Sequence, residues 1–231
     1  MAPSTCKIES ITPLTKVVYE VILAPEQPME FTAGQYVKVV MNEGDERPFS
    51  IANPPHENNK LVLQIGATQD NPYAWEVMEK LRASETITVS APTGNAYVRV
   101  SDRPLLLIAG GTGFSYTFSI LKSVLHNTPD KVINFYWGVR HIEDLYYVDQ
   151  LNTLASQHKG FTFYPVVEFA EAEWQGLTGW VHKAVMQNQP DLLAHDVYVA
   201  GRFDMAKTIR DDFTDMGLPA NQLFGDAFDY I

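Results

Sequence analysis

The apolar run Leu105-Leu106-Leu107-Ile108-Ala109 breaks directly into Gly110-Gly111-Thr112-Gly113-Phe114-Ser115. A short, wholly apolar stretch ended by glycines reads as a buried strand entering a tight turn. Beyond it Phe114, Phe118, Leu121 and Leu125 recur at helical spacing, with Ser119, Lys122 and Ser123 between them, which predicts a helix over 112–126. A phosphate suits such a turn, because glycine admits positive φ and lets backbone N–H groups reach an anion at the positive end of the helix. An ordinary tight strand-to-helix connection uses the same residues. No Gly-Lys-Ser/Thr follows, so the loop is not that of a P-loop ATPase. The GxGxxG fingerprint is imperfect, and the next strand, Val132–Trp137, runs into Gly138-Val139-Arg140 without the acid that normally holds an adenosine ribose. A standard Rossmann dehydrogenase is thereby set aside.

A net charge of −11 repels nucleic acid and anionic membrane, so neither is expected as a partner. Met1–Cys6 lacks the charged start and apolar core of a leader, and no segment approaches the ~18 apolar residues of a membrane span, so a cytoplasmic protein is expected. Cys6 is the sole cysteine and the six histidines form no ligand pattern, which argues against a disulfide or a metal site.

The chain changes rhythm partway along. Up to Ser101, β-type runs at 7–11, 17–23, 36–41, 49–52, 61–67 and 86–91 suggest a barrel or sandwich, interrupted by a helix over 73–82 with Trp75, Met78 and Leu81 on one face. After Asp102-Arg103-Pro104, strands at 105–109, 132–137, 161–167 and 197–200 alternate with helices at 112–126, 147–157, 180–187 and 204–215, a parallel α/β pattern. Asp204 is expected to cap the last helix. The expected domains are 1–101 and 102–231.

Four ordered segments carry the chemistry: Arg47-Pro48-Phe49-Ser50, Gly110–Ser115, Tyr136-Trp137-Gly138-Val139-Arg140 with Asp144-Leu145-Tyr146, and Tyr198-Val199-Ala200-Gly201-Arg202-Phe203-Asp204-Met205. Together they resemble the ferredoxin-NADP reductase superfamily, and within it the bacterial NAD(P)H-flavin oxidoreductases, along the chain from Cys6 to Ile231. The resemblance implies an N-terminal antiparallel Greek-key β-barrel holding flavin and a C-terminal five-stranded parallel sheet with flanking helices holding NADH or NADPH. It implies an oxidoreductase that passes a hydride from nicotinamide C4 to N5 of a free flavin. The reduced flavin would diffuse to another enzyme, such as a luciferase or a monooxygenase, or would serve iron reduction.

By the same resemblance, Arg47, Pro48, Phe49 and Ser50 form the flavin strand with the Ser50 hydroxyl beside N5, and Ile65, Gly66 and Ala67 form a second wall. Holding donor and acceptor at ~3–3.5 Å is the main catalytic demand, so Ser50 would orient rather than attack. Gly110, Gly111, Thr112, Gly113, Phe114 and Ser115 would lie under the pyrophosphate and nicotinamide, bordered by Gly201, Arg202 and Phe203, with Arg140 meeting a ribose or phosphate. Asp226 would lie near Ser50 and N5 as the second catalytic residue. Phe228 or Tyr230 would lie near the ring, with docking of the tail onto the core as the alternative for both, and Cys6 would lie near the same cluster, with a small buried residue as the alternative.

Two absences sharpen the cofactor reading. Between Arg47 and Arg82 the only basic residues are Lys60 and Lys80, too few to grip a flavin diphosphate, so riboflavin, FMN or FAD is expected to exchange freely. Between His141 and Gly201 only Lys159 and Lys183 are basic, so no arginine clamp for a 2′-phosphate is visible and NADH is expected over NADPH. Two rival readings stand beside this one: a reductase that retains FAD and serves an iron–sulfur or haem partner, and a nucleotide-sensing module without turnover.

Overall fold

The computed structural model describes residues 3–189 and 191–231. They group into two compact units: residues up to Val98 with Phe118–Ser123, and Arg99–Thr117 with Val124–Ile231.

The first unit holds β1 (Ser4–Pro13), β2 (Val18–Pro25), β3 (Tyr36–Asn42), β4 (Asp45–Ser50), β5 (Leu61–Gly66), α1 (Pro72–Arg82) and β6 (Thr86–Val89). The strands pair in the order β4-β3-β6-β1-β2-β5, every pair antiparallel. β6, last in sequence, returns between β3 and β1 as in a Greek key. The Ala52 N–H just past β4 donates to the Val62 carbonyl of β5 (2.8 Å), joining the two ends of the sheet into a barrel. Alternate side chains fill it: Val21 and Leu23, Val37 and Val39, Leu61, Leu63 and Ile65, with Val77, Met78 and Leu81 of α1 packed among them. Cys6 belongs to this core, where burial pushes its thiol up to about 11, a poor nucleophile.

One strand differs from expectation. The sequence starts it at Phe49, after the proline, yet β4 begins at Asp45 and carries Pro48 inside it. β4 stands at an end of the strand order, where a residue without an N–H is tolerated.

The second unit contains β7 (Leu105–Gly110), α2 (Phe114–Asn127), β8 (Ile133–Val139), α3 (Val148–Gln157), β9 (Phe161–Val167), β10 (Leu177–Thr178), α4 (Val181–Asn188), β11 (Asp196–Ala200), α5 (Phe203–Asp215) and β12 (Leu223–Phe224). The middle of α2, Phe118–Ser123, groups with the barrel. The sheet is wholly parallel, in the order β10-β9-β8-β7-β11-β12. It has six strands where five were expected, because the two-residue strands β10 and β12 are too short to show a period in the sequence.

Central β7 is buried from Leu105 to Ala109, as its unbroken apolar run requires. The serines between the apolar positions of α2 are buried too: Ser119 is fully enclosed and its hydroxyl donates to the Asn53 carbonyl at 2.9 Å. Asp204 does not cap α5. Arg202 holds that position, and Asp204 sits in the first turn, accepting from the Met205 N–H at 2.9 Å with its charge near the positive helix end.

Candidate functional site

In a parallel sheet all C-terminal strand ends share one edge, the usual place for a ligand in such folds. The Gly110–Ser115 loop lies there, directly after β7. Gly111 adopts φ +53, and nothing lies within 4 Å of where its Cβ would stand, so its backbone is open to a ligand. Gly113 is confined: a Cβ there would sit 2.2 Å from the Ala200 carbonyl oxygen and 2.7 Å from the Gly201 nitrogen. Gly110 and Gly201 face each other across β7 and β11, and a Cβ on either would strike Met205 of α5. Three glycines therefore let the two loops approach, and one shapes the open rim.

The loop is tied down as well. The Trp137 indole Nε1 donates to the Gly111 carbonyl at 3.0 Å, while the Trp137 ring stacks on Phe114 with centroids 4.1 Å apart. Phe114 is wholly buried among Phe135, Trp137, Tyr146 and Tyr147, and its N–H is spent on Gly111 and Thr112 carbonyls. The expected cofactor contact at Phe114 is thus replaced by a packing role. Ser115 is buried, while Thr112 is half-buried at the rim.

Along the same edge, Arg140 is exposed at the end of β8, with no ion pair among the described residues. At the end of β9 the Glu168 and Phe169 N–H groups donate to the Val139 and Arg140 carbonyls, both at 2.9 Å. Trp180, just past β10, donates its indole N–H to the Glu168 carboxylate at 3.2 Å. Sequence reading missed Glu168, Phe169 and Trp180; the available signal for Glu168 and Phe169 was their position immediately after the strand at 161–167, while two-residue β10 offered none for Trp180. On the other side of β7, Arg202 pairs with Asp204 at 3.0 Å, both exposed, and the exposed Phe203 meets Tyr230 edge to face.

The tail bearing Asp226 packs on β11. A Cβ on Gly225 would lie 2.5 Å from the Val199 carbonyl oxygen and 3.0 Å from the Phe228 ring. Asp226 is half-buried, and its charge adds to the burial that raises the enclosed Tyr116 hydroxyl well above its ordinary range. Tyr198 beneath it is pushed up to about 12 by burial, although its oxygen accepts the Arg99 N–H at 2.9 Å.

In the barrel, Phe49 and Ser50 are half-buried at the end of β4, opposite Val37 and Tyr36. Ile65 and Ala67 are core residues, leaving Gly66, half-buried opposite Val18, as the accessible part of the expected second wall. Arg47 departs furthest from expectation. Its guanidinium is nearly buried, donates to Asp45 (2.8 and 3.0 Å), Glu76 (2.6 Å) and the Tyr73 carbonyl (2.6 Å), and lies over the Tyr73 ring. Bonds to Asp45 and Glu76 drive its pKa above the ordinary arginine range, while Arg47 in turn holds Asp45 below the usual carboxylate range. The side chain is engaged within the protein rather than offered to a ligand.

Comparison with known proteins places the fold and the family. Residues 107–211 match the model of the oxidoreductase NAD-binding domain. The chain is 47% identical to an NAD(P)H-flavin reductase of Aliivibrio fischeri, covering 99% of this chain and 100% of that protein. It is 46% identical to an NAD(P)H-flavin reductase of Vibrio harveyi, covering 98% of each. In fold it is similar to a ferredoxin NADP+ reductase of Neisseria gonorrhoeae (TM-score 0.81, 21% identity, 97% of this chain and 98% of that one). It is also similar to an Amycolatopsis cytochrome P450 reductase (TM-score 0.88, 24% identity, 97% of this chain and 69% of that one). A barrel and a parallel α/β unit of this topology, with two flavin reductases alike over their whole length, make the chain a member of the bacterial NAD(P)H-flavin reductase family.

Proposed function

We propose that this NAD(P)H-dependent flavin reductase treats flavin as an exchangeable substrate and recognises its ring rather than its tail. The observation that carries this reading is Arg47. The one arginine of the flavin strand has four of its five N–H donors taken by Asp45, Glu76 and the Tyr73 carbonyl, so a flavin phosphate gains little from it. Riboflavin then binds as well as FMN or FAD.

The open Gly111 rim fits a dinucleotide pyrophosphate, and half-buried Phe49, Ser50 and Gly66 fit a flat ring. The nicotinamide and flavin rings supply the redox chemistry as donor and acceptor of a hydride. Ser50 would hold the flavin N5 edge through its hydroxyl, and Asp226 would be the second catalytic residue. Reduced flavin leaves by diffusion to a flavin-dependent enzyme, and we place the protein in the cytoplasm. Among the described residues no helix is long and apolar enough to cross a membrane.

Gel filtration of protein purified without added flavin tests the reading, followed by NADH oxidation with riboflavin, FMN and FAD. Colourless protein with comparable kcat/KM for the three flavins is expected. A stoichiometric yellow chromophore, or oxidation of NADH that no added flavin accelerates, overturns it.

A further inference from the structure

The thioether of Met205 fills the gap between the two glycine loops at the C-terminal edge of the parallel sheet. A Cβ on Gly110, at the end of β7, would stand 2.4 Å from the Met205 Sδ, and one on Gly201, just past β11, would stand 2.6 Å from its Cε. The side chain is half-buried and packs against the core that contains Leu106, Ile108 and Val199. Its backbone is fixed in the first turn of α5, where its N–H donates to the Asp204 carboxylate at 2.9 Å. The other methionines among the described residues stand elsewhere. Met29, Met41 and Met78 are buried in the barrel core, half-buried Met186 lies near the end of α4, and exposed Met216 follows α5, about 16 Å along the helix axis from Met205.

A thioether is an apolar group that peroxide converts into a polar one. The activity of the protein supplies the oxidant: free reduced flavin that meets O2 returns to oxidised flavin and yields hydrogen peroxide. In the step at Met205 the sulfur donates an electron pair to one peroxide oxygen, the S–O bond forms as the O–O bond breaks, and the second oxygen leaves as water with both protons. Sulfur is oxidised by two electrons and peroxide is reduced by two.

Resting on the reading that the Gly111 rim takes the dinucleotide pyrophosphate, we infer that Met205 is a peroxide-sensitive modification site whose oxidation weakens NADH binding. The sulfoxide oxygen is added where the thioether already touches Gly110 and Gly201, so it parts the two loops or projects onto the rim. Gly113, seated against the Ala200 carbonyl, follows any parting of the loops. When no acceptor takes the reduced flavin, O2 does, peroxide accumulates and consumption of NADH slows. Reduction of the sulfoxide by a methionine sulfoxide reductase restores the thioether.

Wild type, Met205→Leu and Met216→Leu are treated with hydrogen peroxide, which is then removed with catalase, and each is compared with its own untreated sample. Peptide mass mapping locates added oxygen, calorimetry gives the Kd for NAD+, and kinetics with riboflavin give KM for NADH. Wild type should carry one oxygen on Met205, with Kd and KM raised about tenfold, within the range for overpacking a fitted site. Methionine sulfoxide reductase should reverse both in wild type. Met205→Leu, of similar volume, should keep its own untreated values, and Met216→Leu should respond as wild type does. Prolonged aerobic turnover should oxidise Met205 without added peroxide, and catalase should prevent it. Met205 left intact at a dose that oxidises Met216 overturns the inference, as do oxidised Met205 with unchanged Kd and equal losses in Met205→Leu and wild type. Untreated wild type that binds no NAD+ overturns the reading of the rim itself, a result distinct from these.

Discussion

The Trp137 indole donates to the Gly111 carbonyl at 3.0 Å, so a side chain of β8 holds the one open glycine of the loop after β7. Trp137→Phe keeps a ring against Phe114 and removes that bond. NADH KM should rise about fivefold, the equivalent of ~1 kcal/mol for one hydrogen bond, with little change in KM for riboflavin. Unchanged NADH kinetics would show that the loop needs no tether.

Gly113 and Gly111 should respond to alanine for different reasons. At Gly113 a methyl meets the Ala200 carbonyl, so the loops must part, at a cost of about 3 kcal/mol, the upper end for overpacking. At Gly111 there is space and only left-handed backbone strain, about 1 kcal/mol. Denaturant unfolding ranks the two, and equal losses would contradict the close approach.

Arg47→Met separates structure from phosphate recognition. Losing its bonds to Asp45, Glu76 and the Tyr73 carbonyl should lower stability by about 2 kcal/mol, with KM for riboflavin and FMN moving together. A rise confined to FMN would assign Arg47 to the phosphate.

Acid should weaken the barrel through Glu57. Burial alone would raise its pKa, but the Lys122 and Lys60 ammonium groups outweigh burial and hold it below 4.5. A depressed folded pKa stabilises at pH above the unfolded value and is lost as pH falls through the folded one. Lys122→Met should therefore cost about 0.5–1 kcal/mol at neutral pH and flatten the loss of stability below pH 4.5. A wild-type acid slope in the variant contradicts this.

Ser50→Ala should lower kcat for riboflavin about tenfold or more, as removal of a positioned proton partner does, and Asp226→Ala should act in the same direction. Wild-type turnover in either variant removes that residue from the chemistry.

Strand β7 and its loop were legible because burial on both faces erases alternation and glycine punctuates the end. Pro48 misled the reading of β4, since proline marks a strand start more often than an edge-strand interior. The internal engagement of Arg47, expected on the flavin strand, was illegible because its partner Glu76 comes from a distant helix, an encounter that only tertiary packing creates. Ser119 failed for the same reason: its acceptor, the Asn53 carbonyl, carries no side-chain signal. The Glu168–Trp180 bond likewise joins two strand ends that no local pattern relates.

The pairing of β7 with β11 also sets a timetable for synthesis. Residues of the glycine loop leave the ribosome long before Ala200 and Gly201, the backbone against which Gly113 is fitted. Until β11 emerges, the nascent chain displays an apolar β7 with one flank unpaired, and the nucleotide rim is unfinished. Competence to bind NADH is therefore acquired only after β11 has been made, and a chain stalled before Ala200 would be a client for chaperones rather than a partial enzyme.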